Sequence, residues 1–199
     1  MIICMSEVLV FTNRLLCRES FLSRIEKTAK EKPKGIVLRE KDLNEEDYKE
    51  LAKKVIEICR RYGTQCILHS YVNTAAMLNH DALHLPFHKL LRLSDSQKSR
   101  FKLLGASVHS ADEAVQAEFL GCTYITAGHI FDTDCKAGCP GKGLRYLREI
   151  CESVEIPVYA IGGIKAENIA DVIDAGAKGV CVMSGAMTCA DVKKYLSSL

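Results

Sequence analysis

At 199 residues, 48% of them hydrophobic and 26% charged, the chain is long enough to bury one full core and is expected to form a single soluble domain over 1–199. Its 27 basic and 25 acidic side chains nearly balance at a net charge of +2, which gives no whole-molecule pull toward nucleic acid or an anionic membrane. No apolar run approaches the roughly 18 residues of a membrane span, and Met1-Ile2-Ile3-Cys4-Met5 lacks the basic leader and long apolar centre of a secretory signal.

In chain order, the first strand is expected at Glu7–Thr12 and the second at Gly35–Arg39. A helix over Asn44–Tyr62 follows, with Leu51, Val55, Ile58 and Cys59 forming one apolar stripe. Asn44 has the chemistry of its N-cap and Asp47 that of an acidic first turn. Further strands are expected at Gln65–His69, Ala82–Leu85 and Leu103–Ser107, then a helix over Ala111–Leu120. Tyr124–Ala127 reads as a strand before a helix over Gly143–Ser153. Pro157–Ile161, a helix over Ala166–Asp174 and the strand Gly179–Met183 complete the order. Eight strands alternating with helices at roughly 25 residues per unit predict an α/β fold, a compact eightfold (β/α) TIM barrel. A doubly wound open sheet is the runner-up, but no GxGxxG follows the first strand.

Ten cysteines suggest at first a disulfide framework or a metal site. Cys4, Cys17, Cys59, Cys66, Cys122, Cys151 and Cys181 are instead scattered through strands and helices, where a thiol packs as a small hydrophobe. Reduced thiols in a cytoplasm are therefore expected. Cys135 and Cys139 make CxxxC beside His129, but no second His/Cys cluster stands at finger spacing, so no metal is expected there.

In a barrel, function belongs to the carboxyl ends of the strands. Arg39 and Lys41 end the second strand, pointing the same way with Glu40 opposite; they could grip a carboxylate or phosphate. His69 and Ser70 end the third. His109 stands after the fifth in Ser107-Val108-His109-Ser110, and an imidazole titrating near neutrality can move a proton within one substrate. His129 is a second candidate that could lie in the barrel wall, while His84 and His88 would border the mouth. Thr133 and Lys136 follow the sixth strand. Gly162-Gly163 ends the seventh and Ser184-Gly185 the eighth, where backbone N–H groups can cradle phosphate.

Together these residues carry a resemblance. The run Ser107-Val108-His109-Ser110 with Asp112-Glu113-Ala114-Val115-Gln116-Ala117-Glu118, and then Gly128-His129-Ile130-Phe131-Asp132-Thr133-Asp134-Cys135-Lys136-Ala137-Gly138, resembles the thiazole tautomerase TenI branch of the thiamine-phosphate synthase superfamily. Val37-Leu38-Arg39-Glu40-Lys41, Ala160-Ile161-Gly162-Gly163-Ile164 and Val182-Met183-Ser184-Gly185 extend the likeness over nearly the whole chain.

The resemblance implies a dimeric eightfold barrel acting in the thiazole arm of thiamine biosynthesis. The implied reaction is an isomerisation that aromatises a carboxylated thiazole phosphate tautomer, shifting a proton from the ring carbon bearing the carboxylate to the exocyclic carbon. His109 matches the acid/base histidine in this reading. Arg39, Lys41, Lys136, Thr133, Gly163, Ser184 and Gly185 would hold the small-molecule thiazole phosphate, with no cofactor and neither nucleic acid nor membrane as partner. The sister enzyme, thiamine-phosphate synthase, joins a pyrimidine diphosphate to a thiazole phosphate with magnesium. It typically carries Asn-Asp after its third strand and Asp after its fourth, where this chain has His69-Ser70 and Leu85-Pro86-Phe87-His88. A third reading is a non-catalytic sensor of thiazole or thiamine phosphates. Against a direct DNA-binding role, no helix-turn-helix signal or basic stripe is present.

Overall fold

The structure, a computed structural model, describes residues 7–133 and 138–199. Eight parallel strands are hydrogen-bonded neighbours in chain order: β1 (Val8–Phe11), β2 (Gly35–Leu38), β3 (Cys66–His69), β4 (Ala82–Pro86), β5 (Leu103–Val108), β6 (Tyr124–Gly128), β7 (Val158–Ile161) and β8 (Gly179–Val182). They close as a barrel. Every expected strand is present, with no end more than one residue from its expected place. Pro157, for example, has no N–H to give to the ladder; β7 starts at Val158, although the Pro157 carbonyl still accepts from the Ile125 N–H at 3.0 Å.

Contacts divide the chain into two compact units. One comprises the described residues up to Leu83 together with Val182–Leu199. In it β1 pairs with β2 (Val10 beside Ile36) and β2 with β3 (Ile36 beside Cys66). The helices are α1 (Phe21–Lys30), α2 (Glu45–Tyr62), α3 (Val72–Met77), α9 (Ser184–Thr188) and α10 (Val192–Ser197), the numbering leaving α4–α8 to the other unit. Asn44 caps α2, its side chain accepting the Asp47 N–H at 2.9 Å, as its chemistry predicts. The buried stripe of α2 is Tyr48, Ala52, Val55 and Cys59, a correction to the expected Leu51, Val55, Ile58 and Cys59. Tyr48 sets that rotation: its hydroxyl donates to the Leu38 carbonyl at 2.7 Å and accepts from the His69 N–H at 2.8 Å, joining the ends of β2 and β3.

The other unit is His84–Cys181. Ser107 lies beside Thr126 where β5 meets β6, and Gly128 beside Ile161 where β6 meets β7. Its helices are α4 (Phe87–Leu90), α5 (Asp95–Lys98), α6 (Ala111–Phe119), α7 (Gly143–Ser153) and α8 (Ile169–Asp174). The single helix expected over Ala166–Asp174 is split into a 3-10 turn, Ala166–Asn168, and α8. Asn168 explains the break, because its side chain accepts from the Lys165 N–H and donates to the Gly163 carbonyl, both at 2.9 Å. Among the described residues, no helix is long and apolar enough to cross a membrane.

Candidate functional site

In the unit His84–Cys181, Ser110 caps α6, accepting from the Glu113 N–H at 3.1 Å, while the Glu113 carboxylate accepts the His109 N–H at 2.7 Å. This reciprocal capping holds the backbone of His109 at the end of β5. The imidazole Nδ1 lies 3.0 Å from the Gly128 carbonyl. A carbonyl can only accept, so Nδ1 carries the proton and Nε2 is left as a basic lone pair. The side chain is exposed.

Gly128 is followed by His129, which is only 7% exposed. Its Nε2 donates to the Cys139 carbonyl at 3.1 Å, so its lone pair is on Nδ1. That Nδ1 is buried and has no hydrogen-bond partner. Two imidazoles of opposite tautomer are thus hung from one peptide unit. His129 lies in the wall, as the sequence allows, yet with its basic atom unsatisfied.

Gly162 and Gly163 end β7 at φ 102° and 66°. A side chain on Gly163 would place its Cβ 2.6 Å from the Asp132 carbonyl oxygen, and one on Gly162 would come 2.3 Å from the His129 Cβ. These glycines therefore let the turn close onto the segment that runs from His129 to Thr133. Phe131 donates its N–H to the Gly162 carbonyl at 3.1 Å. Thr133 is half-buried at the end of that segment. Lys136 and Cys135 lie outside the described residues.

Sequence reasoning missed Lys142 and Tyr146. The Lys142 ammonium donates to the His109 carbonyl at 2.7 Å and stands 4.4 Å from the Tyr146 ring centroid. Burial pushes the Tyr146 phenol up to about 12, and its hydroxyl lies 3.4 Å from the Val108 carbonyl. Both residues come from the start of α7, 33 and 38 positions along the chain from the groups they meet, which no local pattern signals.

His84 was expected to border the mouth and does not. It is fully buried, and burial pushes its imidazole down to about 3. His88 is exposed.

In the other unit, Glu40 turns inward. Its carboxylate accepts from the Thr12 hydroxyl at 2.6 Å and from the Arg14 N–H at 3.0 Å. Arg39 is half-buried and Lys41 exposed, both beyond the end of β2. The Arg39 guanidinium reaches 3.9 Å from the sulfur of Met183, the residue that precedes Ser184 and Gly185 at the start of α9. A Cβ on Gly185 would meet the Tyr195 hydroxyl at 2.2 Å, so this glycine also admits the packing of α10.

A magnesium ion asks for hard oxygen donors, chiefly carboxylates. β3 ends in His69, buried with Nδ1 2.9 Å from the Ser70 hydroxyl, and Ser70 follows at φ 70°. After β4 stand Phe87 and His88. No group of three or more His, Cys, Asp or Glu side chains that could hold a metal occurs among the described residues. The donor set does not fit magnesium. For the CxxxC element, the carbonyl of Cys139 rather than its thiol meets His129.

A family model described as thiamine monophosphate synthase matches residues 8–186. A thiamine-phosphate synthase of Fusobacterium nucleatum is 32% identical over 199 residues, covering 97% of this chain and 95% of the relative. One from Clostridium acetobutylicum is 33% identical, covering 93% and 88%. Among solved structures, thiamine phosphate pyrophosphorylase from Pyrococcus furiosus superposes with a TM-score of 0.82 at 29% identity, over 98% of this chain and 94% of that one. The relatives' names carry the superfamily and not the TenI branch. On this match along nearly its whole length, the chain belongs to the thiamine monophosphate synthase family, enzymes of thiamine biosynthesis.

Proposed function

We propose that the chain is the isomerase of this superfamily, aromatising a carboxylated thiazole phosphate by an intramolecular proton shift. The observation that carries the reading is the buried, unpartnered Nδ1 of His129, one peptide away from the carbonyl that holds His109. A proton taken from the ring carbon bearing the carboxylate can be returned to the exocyclic carbon by one base that keeps it from solvent. The buried Nδ1 suits that task better than the exposed His109, which the sequence alone had favoured; His109 contributes a second ring nitrogen, Nε2, that its tether to Gly128 leaves available. A positioned acid/base of this kind is worth on the order of a hundredfold to ten-thousandfold in rate.

Arg39 and Lys41 supply positive charge for the substrate's anionic groups, and Thr133, Gly163, Ser184 and Gly185 supply hydroxyl and backbone donors. The homodimer implied by the resemblance belongs to the same proposal. No cofactor enters this chemistry.

The second reading is coupling of a pyrimidine diphosphate to a thiazole phosphate. It is favoured by the name thiamine-phosphate synthase on relatives 32% and 33% identical, and disfavoured by His69-Ser70 and Phe87-His88 where diphosphate departure would call for magnesium-binding acids. One assay separates the readings. The non-aromatic thiazole tautomer is incubated with the protein and its ultraviolet absorbance followed, then the aromatic thiazole phosphate is offered with pyrimidine diphosphate and magnesium. Aromatisation alone is the expected result; thiamine phosphate in the second reaction, with no aromatisation in the first, would reverse the assignment.

A further inference from the structure

An arginine is buried beside a thiol in the unit that comprises the described residues up to Leu83 together with Val182–Leu199. Arg24 on α1 is only 3% exposed. Its Nη1 stands 3.2 Å from the Cys189 sulfur and 3.4 Å from the Ala186 carbonyl oxygen, while Nη2 pairs with Glu19 at 2.8 Å. Its Nε is buried and has no hydrogen-bond partner among the described residues. Cys189 follows α9 and is half-buried. Cys17, also half-buried, has its sulfur 3.8 Å from that of Met187.

Charge in this cluster is out of balance. The Glu19 carboxylate serves two cations, Arg24 through one oxygen and Lys27 through the other at 2.5 Å. The buried guanidinium is thus only partly matched, and unmatched charge inside a protein is costly. A negative charge on Cys189 offsets it. Nor does loss of the thiol proton empty a hydrogen bond: the S–H donates to the Ala186 carbonyl at 3.6 Å, and that oxygen keeps the Arg24 N–H. A cation against a partly exposed sulfur is the setting that marks reactive thiols. Cys17 differs, because burial pushes its thiol up despite Arg24, and Glu40 and Glu19 add to the rise.

We propose that Cys189 is a peroxide-sensitive modification site, oxidised to a sulfenate that Arg24 binds. The sulfur attacks one oxygen of hydrogen peroxide. The S–O bond forms as the O–O bond breaks, and the departing hydroxide takes up a proton and leaves as water. The sulfur gives up two electrons and the peroxide gains them. The new oxygen is an anionic acceptor beside a guanidinium that still has a donor to spare. The inference is independent of the reaction proposed above.

The test pulses the ligand-free protein with hydrogen peroxide, traps sulfenic acids with dimedone and reads each cysteine peptide by mass spectrometry. Label should appear at Cys189 at least about tenfold faster than at Cys17 or Cys151, which are also half-buried. In Arg24→Gln the Cys189 rate should fall about tenfold, while the rate at the exposed Cys139 of the same molecules holds. Arg24→Lys, which keeps the charge, should lie between wild type and Arg24→Gln. Should Arg24→Gln not fold, Glu19→Gln is the reciprocal test: Arg24 keeps its charge and loses its carboxylate, so Cys189 should oxidise faster than in wild type. A wild-type rate at Cys189 no greater than at Cys17, or a Cys189 rate that neither Arg24→Gln nor Glu19→Gln moves, overturns the proposal.

Discussion

His109 donates from Nδ1 to the carbonyl oxygen of Gly128 across 3.0 Å, and the nitrogen of that same peptide belongs to His129. The two imidazoles are therefore fixed relative to each other by one planar unit and by opposite tautomers. Substitutions can remove each basic atom while sparing each tether. His129→Gln keeps an amide N–H for the Cys139 carbonyl but removes the Nδ1 lone pair, and isomerisation should fall on the order of a hundredfold to ten-thousandfold. His109→Asn keeps a donor for Gly128 and loses Nε2; a smaller loss, about tenfold, is expected from the exposed partner. Single-turnover rates with product binding measured in parallel decide the matter. Equal rates for His129→Gln and wild type would remove His129 from the chemistry.

Glu40 carries a second expectation, about stability and anion affinity together. Its buried carboxylate accepts from Thr12 and Arg14, and the same Thr12 hydroxyl accepts the Arg39 N–H at 3.0 Å. Glu40→Ala leaves those donors without their acceptor and should cost about 3–5 kcal/mol in denaturant titration. Arg39 loses part of its support at the same time, so inorganic phosphate should bind more weakly to the folded fraction. Glu40→Gln keeps the shape but turns an amide N–H toward donors, and should be only partly restored.

The strands were legible because parallel strands covered on both faces read as short apolar runs, and each such run is buried in the structure. Asn44 was legible as a cap because capping is local chemistry. The interior role of His84 was not, because its partners Tyr124 and Ser107 lie 40 and 23 residues away and a lone histidine in a strand carries no sign of them. Nor was the rotation of α2, since Tyr48 is held by the ends of two strands rather than by its helix. His129 shows the same limit: its position near the end of β6 was legible, and its unsatisfied Nδ1 was not. The two glycine turns could be marked as tight turns, whereas what each glycine packs against had to come from the fold.

Gly163 and Gly63 separate backbone strain from crowding. They share nearly the same φ, 66° and 69°, but a Cβ at Gly63 meets nothing within 4 Å while one at Gly163 lies 2.6 Å from the Asp132 carbonyl oxygen. Gly63→Ala should cost about 1 kcal/mol, the left-handed penalty alone. Gly163→Ala should cost about 2–3 kcal/mol, lowering the thermal midpoint by roughly 5–10 °C, and should disturb the segment from His129 to Thr133. Equal midpoints for the two variants would show that this segment yields to the added methyl group.

His84 predicts how stability depends on pH. Its imidazole is pushed by burial from an ordinary 6.5 down to about 3 in the folded chain. Above pH 6.5 it is neutral in both folded and unfolded states and contributes no slope. Below that value the unfolded chain binds a proton that the folded chain refuses, so the unfolded state is favoured as pH falls, by up to about 1.4 kcal/mol per pH unit until the folded group titrates near 3. Stability should thus decline from pH 6.5 toward 3. In His84→Gln, which keeps a polar side chain without a titrating nitrogen, the decline over that window should be shallower, by at most one proton's worth of slope. Denaturant midpoints at half-unit pH steps measure the difference; parallel curves for wild type and variant would mean that His84 is accessible to protons in the folded protein.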